Sequence, residues 1–201
     1  MANVVILMVI FSAVNSSYPA GLQFEGGVLY NYCVVSQDNR DFETINNWAG
    51  EIGIVNVVPK IGFKLRGSFV EYQPSDIDTT PVNENLITYQ YYPLTLCTSF
   101  NLMPFFKVSF LRFSMETGIG VYFWKGLYNN EVVVLPAGKM DEKDFGFTGG
   151  LSLQIKPVQF IGIEITSRYH YIASANLEKY GYYDKDEKLW ENGIGLKVVL
   201  W

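Results

Sequence analysis

The chain has 201 residues, enough for one domain, and 49% of them are hydrophobic and 16% aromatic. Its net charge is −5 with no cluster of Lys or Arg, which excludes an electrostatic nucleic-acid surface. Beyond the first twenty residues no apolar run approaches the roughly 18 residues of a membrane helix, and two cysteines, Cys33 and Cys97, are too few for a disulfide scaffold.

Residues 1–20 stand apart. Val4 to Phe11 is unbroken apolar sequence, followed by Ser12, Ala13, Asn15, Ser16 and Ser17. This is the pattern of a secretory signal peptide, with a cut expected near Val14-Asn15-Ser16, although no Lys or Arg precedes the run. The alternative is a first core strand.

From residue 21 the apolar residues alternate with polar ones, the period of a strand with one apolar face. Strand one, 21–33, sets Leu22, Phe24, Val28, Tyr30 and Tyr32 against Gln23, Glu25, Gly27, Leu29 and Asn31. Residues 34–50 read as a long loop, with a helical turn around Phe42, Ile45 and Trp48. Strand two, 51–58, is irregular at Val55, Val57 and Val58, and Pro59-Lys60 turns the chain into strand three, 61–72, where Ile61, Phe63, Leu65 and Phe69 oppose Gly62, Lys64, Arg66 and Ser68. After an acidic loop at 73–86, strand four, 87–101, presents Tyr92, Leu94, Leu96 and Phe100 on one face and Thr95, Cys97 and Ser99 on the other, with a bulge expected at Pro93. A short turn at Met103-Pro104 leads to strand five, 110–124, with Leu111, Phe113, Met115, Ile119, Val121 and Phe123 opposite Arg112, Ser114, Glu116, Gly118, Gly120, Tyr122 and Trp124.

A third long loop, 125–143, precedes the cleanest hairpin. Phe145, Phe147, Leu151, Leu153 and Ile155 share one parity; after Lys156-Pro157, Ile161, Ile163 and Ile165 resume it against Gly162, Glu164, Thr166, Arg168 and His170. A loop at 173–190 and strand eight, 191–201, close the chain, with Ile194, Leu196, Val198 and Leu200 on one face. The polar face of that hairpin is mostly Gly, Ser and Thr with a few charges, where a water-facing strand would repeat Lys and Glu. The apolar faces are therefore expected to meet lipid and the polar ones a narrow interior.

Long connections alternate with short ones, so every long loop falls at one end. The expected fold is all-β: an eight-stranded antiparallel up-and-down transmembrane β-barrel over 21–201, behind the signal peptide. Tyr30, Tyr32, Tyr89, Tyr91, Phe123, Trp124, Tyr169 and Tyr171 flank the long-loop end, where an aromatic girdle is expected. A soluble lipocalin-like carrier would invert the faces.

YYPLTLCTSF at 91–100, METGIGVYFWKG at 115–126, DFGFTGGLSLQI at 144–155 and the closing GIGLKVVLW resemble the small eight-stranded outer-membrane barrels, the OmpA/OmpX type and the outer membrane protein beta-barrel domain group. The resemblance implies a bacterial outer-membrane location, with outer-membrane lipid and the outer-membrane assembly machinery as partners, and an unidentified surface ligand. Trp201 resembles the terminal aromatic of the assembly signal, but Leu200, Val198, Leu196 and Ile194 take the opposite parity to it.

The one histidine, His170, invites a deacylase-like reading with a serine and a carboxylate, but Ser174 lies beyond the strand, Ser167 on the other face and Glu164 roughly 20 Å away along an extended strand. No metal ligand set can be built, no cofactor is implied, and no enzyme is expected. By parity Glu25, Glu116 and Glu164 face inward with Lys64, Arg66, Arg112, Arg168 and Lys197, a locally basic lumen charge network. Read as a plug, it fits a non-enzymatic barrel with long extracellular loops for envelope integrity, adhesion or surface recognition. Read as a site, it fits a narrow transport or ligand-binding barrel for a small or hydrophobic solute.

Overall fold

The computed structural model describes residues 21–37, 40–41, 45–58, 60–72, 87–102, 110–173 and 186–200. The signal-peptide segment, Phe42, the Met103-Pro104 turn, the 73–86 loop, Ser174 and Trp201 lie outside them.

Eight long strands form the wall: β1 Gln23–Gln37, β2 Ile45–Val58, β3 Ile61–Ser68 with its continuation Val70–Tyr72, β4 Thr88–Asn101, β5 Leu111–Tyr128, β6 Asp141–Val158, β7 Ile161–Ala173 and β8 Asp186–Leu200. Each pairs antiparallel with its sequence neighbours, and β1 pairs β8 from Phe24↔Leu200 to Ser36↔Lys188, which closes the ring. A closed ring leaves no edge strand, so the wall satisfies its backbone groups by pairing between neighbouring strands rather than at an open edge.

The two faces are chemically opposite. Phe24, Val28, Ile52, Leu96, Ile119, Phe145, Phe147, Ile194, Leu196 and Leu200 are exposed on the outside, while Gln23, Glu25, Glu51, Lys64, Arg66, Glu116, Glu164, Arg168 and Lys197 are buried inside. A water-soluble carrier would bury the first set, so the inverted, lipocalin-like arrangement is ruled out by its exterior.

Several strands differ from the sequence reading. β2 starts at Ile45, not 51, so Ile45 and Trp48 belong to a strand rather than to the expected helical turn, and Trp48 stands on its outer face. The irregular valines mark a register shift between Ile54 and Val58, where Asn56 adopts a φ of 60°. Pro93 makes no bulge. Its missing N–H instead interrupts the neighbouring strand at Phe69, and pairing resumes in the same register at Val70↔Tyr91.

The long loops are shorter than expected because strands run into them. β5 continues to Tyr128, β6 begins at Asp141, and the chain between them folds into two tight pairings, Glu131–Val132 against β5 and Val134–Leu135 against Gly138–Lys139. β8 begins at Asp186. The aromatic girdle also needs correcting. Tyr30, Tyr32 and Tyr169 face outward, with Trp48 packed against Tyr30 and Trp190 against Tyr169, but Tyr89, Tyr91 and Trp124 point into the barrel and are buried.

Candidate functional site

The interior of an eight-stranded barrel is only wide enough for side chains, and here they sort into tiers along the axis. At the centre three cations meet three carboxylates. Lys64 Nζ lies 2.5 Å from Glu116, 3.1 Å from Glu164 and 3.3 Å from Glu51; Lys197 Nζ lies 2.6 Å from Glu51 and 2.8 Å from Glu164. The guanidinium of Arg168 donates to Glu116 and, at 2.9 Å, to Glu51. All six side chains are almost wholly removed from solvent. Each carboxylate therefore has at least two cationic neighbours, the condition under which buried charge is tolerated.

Glycines make room for these long stems. Gly27, Gly53 and Gly150 are the direct cross-strand partners of Lys197, Lys64 and Arg168. A Cβ at Gly27 would stand 2.7 Å from Lys197 Cγ, one at Gly150 2.7 Å from Arg168 Cγ, and one at Gly53 3.1 Å from Lys64 Cγ. The stem of each central cation lies over the bare backbone of its neighbour.

Towards the short-turn end, Arg112 grips Glu25 with both terminal nitrogens, at 2.8 and 2.6 Å, and Lys156 approaches the same carboxylate at 3.5 Å. Towards the loop end, Arg66 donates to Glu191 and to Asn31, both at 2.9 Å, and Asn31 donates on to Asn47 at 2.7 Å.

Above this lies an apolar and aromatic tier of Cys33, Val35, Val70, Tyr72, Ile87, Tyr89, Tyr91, Tyr122, Trp124, Met140, Ile172 and Leu189, against which Val133 and Leu135 pack. Tyr72 stacks between Tyr89 and Tyr91 with ring centroids 5.5 Å apart in each pair, and Trp124 Nε1 donates to Asp144 at 2.7 Å. The chain after β5 is tied over this tier by backbone bonds from Gly126 to Met140 and from Val133 to Gly126, each 2.9 Å. Met140 thus caps the lumen from the loop side.

All eight residues expected to face inward, Glu25, Lys64, Arg66, Arg112, Glu116, Glu164, Arg168 and Lys197, lie on the inner face, but not in a single layer. Glu25 sits with Arg112 below the central group, and Arg66 pairs with Glu191 above it. Glu51, Glu191 and Lys156 join them. With Asp144 and Glu187 also buried, the basic excess expected from parity is corrected: among the described residues seven inward carboxylates face six Lys and Arg side chains. Both cysteines are free and buried.

His170 lies beneath the aromatic tier with Nδ1 2.8 Å from the Tyr122 hydroxyl and Nε2 3.5 Å from Glu191. Of the three deacylase candidates Ser174 lies outside the described residues, Ser167 donates to Asn192 on the outer wall at 2.8 Å, and Glu164 belongs to the central group. Among the described residues no group of three or more His, Cys, Asp or Glu side chains could hold a metal ion.

An apolar exterior, an ion-paired interior and eight strands in a closed antiparallel ring define a small transmembrane β-barrel with the fold of the bacterial outer-membrane barrels. The chain is similar to a major outer membrane protein from Thermus thermophilus (TM-score 0.65, 10% identity, covering 90% of this chain and 100% of that one). It is also similar to the outer membrane protein OprG from Pseudomonas aeruginosa (0.59, 11%, 92% and 98%) and to Neisserial surface protein A (0.56, 9%, 91% and 99%). No family model and no curated protein sequence matches the chain.

Proposed function

We propose that the protein is a non-enzymatic integral barrel of the bacterial outer membrane, whose lumen is a structural plug and whose loop end performs its role in envelope integrity, adhesion or surface recognition. The reading rests on the lumen being occupied along its length, first by the six-membered charge group and then by the aromatic tier under Met140. Outer-membrane lipid covers the apolar wall, and the assembly machinery inserts the chain. A second reading, a narrow path for a small solute, is favoured by polar groups without partners among the described residues: both ends of the Gln154 amide and the hydroxyls of Thr148 and Thr166.

Fractionation with unboiled gels tests the first reading. The protein should be recovered in the outer-membrane fraction as a compact band that shifts on boiling, and recovery in the soluble fraction would contradict it.

A further inference from the structure

Every strand of the wall presents large apolar side chains outward, but a polar pair interrupts them where β7 meets β8. Ser167 and Asn192 are direct cross-strand partners on the outer face, the first half-buried and the second exposed. The next outward pair towards the loop end is Tyr169 and Trp190, whose ring centroids lie 5.6 Å apart. Two residues of a strand tilted by about 45° descend about 5 Å into the bilayer. Aromatic girdles sit at headgroup level, so the polar pair stands level with the linkages that join acyl chains to a lipid headgroup.

Chemistry fixes the orientation of the Asn192 amide. The indole Nε1 of Trp190 can only donate, and it lies 3.0 Å from Asn192 Oδ1; Ser167 donates to the same oxygen at 2.8 Å. The amide nitrogen is therefore turned away from both, and its two N–H groups have no partner among the described residues. Where water does not reach, an unpaired N–H is costly, and an acceptor supplied by the surroundings is favoured. Beside the amide a groove of about 500 Å³ runs between Tyr30, Phe113, Leu151, Leu153, Ile165 and Ile194, with Ser167 and Asn192 also in its lining. Sites for small ligands span roughly 300–1,000 Å³, and they too combine an apolar lining with a few polar groups that fix orientation.

We propose that this groove holds one ester-linked acyl chain of a membrane lipid, its linkage carbonyl accepting a hydrogen bond from the Asn192 amide and its hydrocarbon lying over Leu153, Ile165 and Ile194. The inference rests on the outer wall facing lipid, and it adds one selective lipid position to that wall. At the depth of the pair the carbonyl is the acceptor a lipid offers, because phosphate and headgroup lie further out, beside Tyr169 and Trp190.

Native mass spectrometry of the full chain in detergent micelles tests the site. The probes are dipalmitoyl phosphatidylethanolamine and its dihexadecyl ether analogue, which differ only in the linkage carbonyls. The parent should bind the diester about fivefold more tightly, the worth of one neutral hydrogen bond. Asn192→Leu keeps the wall apolar and should remove that preference while both lipids still bind. Thr98→Val, on the outer face of β4 on the opposite side of the ring, should keep it. Equal binding of the two lipids by the parent, or an undiminished preference in Asn192→Leu, would overturn the carbonyl contact alone, whereas a parent that retains neither lipid would contradict the lipid-facing wall as well. A dimer that Asn192→Leu dissociates would assign the groove to a second copy of the chain and overturn the proposal.

Discussion

Glu51 of β2 and Lys197 of β8 meet 2.6 Å apart inside the barrel, reaching past β1, the strand that hydrogen-bonds to both of theirs. The contact ties three consecutive staves of the closed ring from within, across the seam where the first strand meets the last. Removing one partner leaves an uncompensated buried charge, whose cost is about 3 to 5 kcal/mol where lumen water does not reach it. Glu51→Gln and Lys197→Met should each lower stability by that amount in urea titrations from lipid vesicles. The double variant should lose less than the sum, because the two losses share one interaction. Strict additivity would mean the two groups are independently solvated.

The glycines opposite the central cations give a graded prediction. A methyl group at Gly27 meets Lys197 Cγ at 2.7 Å and the Leu196 carbonyl oxygen at 2.8 Å, whereas at Gly53 its nearest neighbours are at 3.0 and 3.1 Å. Gly27→Ala should therefore cost about 1 to 3 kcal/mol, in the range of overpacked cores, and Gly53→Ala less. Gly26, on the outer parity, has nothing within 4 Å of its Cβ position, and Gly26→Ala should be close to neutral. The same urea titrations rank the three, and an inverted order would show that the stems do not occupy the glycine tracks.

On the outer wall, Leu196 stands exposed between Ile194 and Val198 and beside Val28 and Ile163 of the flanking strands. Leu196→Arg should destabilise the vesicle-embedded protein by about 2 to 4 kcal/mol if it lies near the bilayer midplane. Leu153→Arg and Ile163→Arg should act in the same direction. Parent-like stability of all three would place this face out of contact with lipid.

Much of this architecture was legible in the chain because a strand with opposed solvents on its two faces repeats every second residue. β5, β6 and β7 carry that signal without interruption, and their inward residues follow from parity alone. The missed members of the lumen trace to specific breaks. Glu51 was hidden because the turn-rich stretch before it reads as loop, although Asn47, Ala49 and Glu51 already alternate inward, and the left-handed Asn56 then shifts the phase. Lys156 sits beside Pro157 and reads as turn, but β6 extends to Val158 and its side chain enters the barrel. Glu191 is the first residue of the expected strand eight and shares parity with Gly193, Gly195 and Lys197, so its inward direction was available from parity.

The aromatic tier was harder to see. Tyrosine and tryptophan at a barrel rim serve equally as a lipid-facing girdle or as interior packing, and composition does not separate the two. Only register does: Tyr89 and Tyr91 share the inward parity of Thr95 and Cys97, and Trp124 that of Tyr122. Which carboxylate meets which cation was likewise beyond parity, because the stagger of the closed ring sets their relative heights.

The most direct test of a plugged lumen is single-channel recording of the protein in planar bilayers. With the six central charges paired and Met140 seated over the aromatic tier, the parent should give no sizeable, stable conductance, and Glu51→Gln should leave the bilayer equally tight while lowering stability. Large, long-lived openings from the parent protein would contradict the account and favour the transport reading.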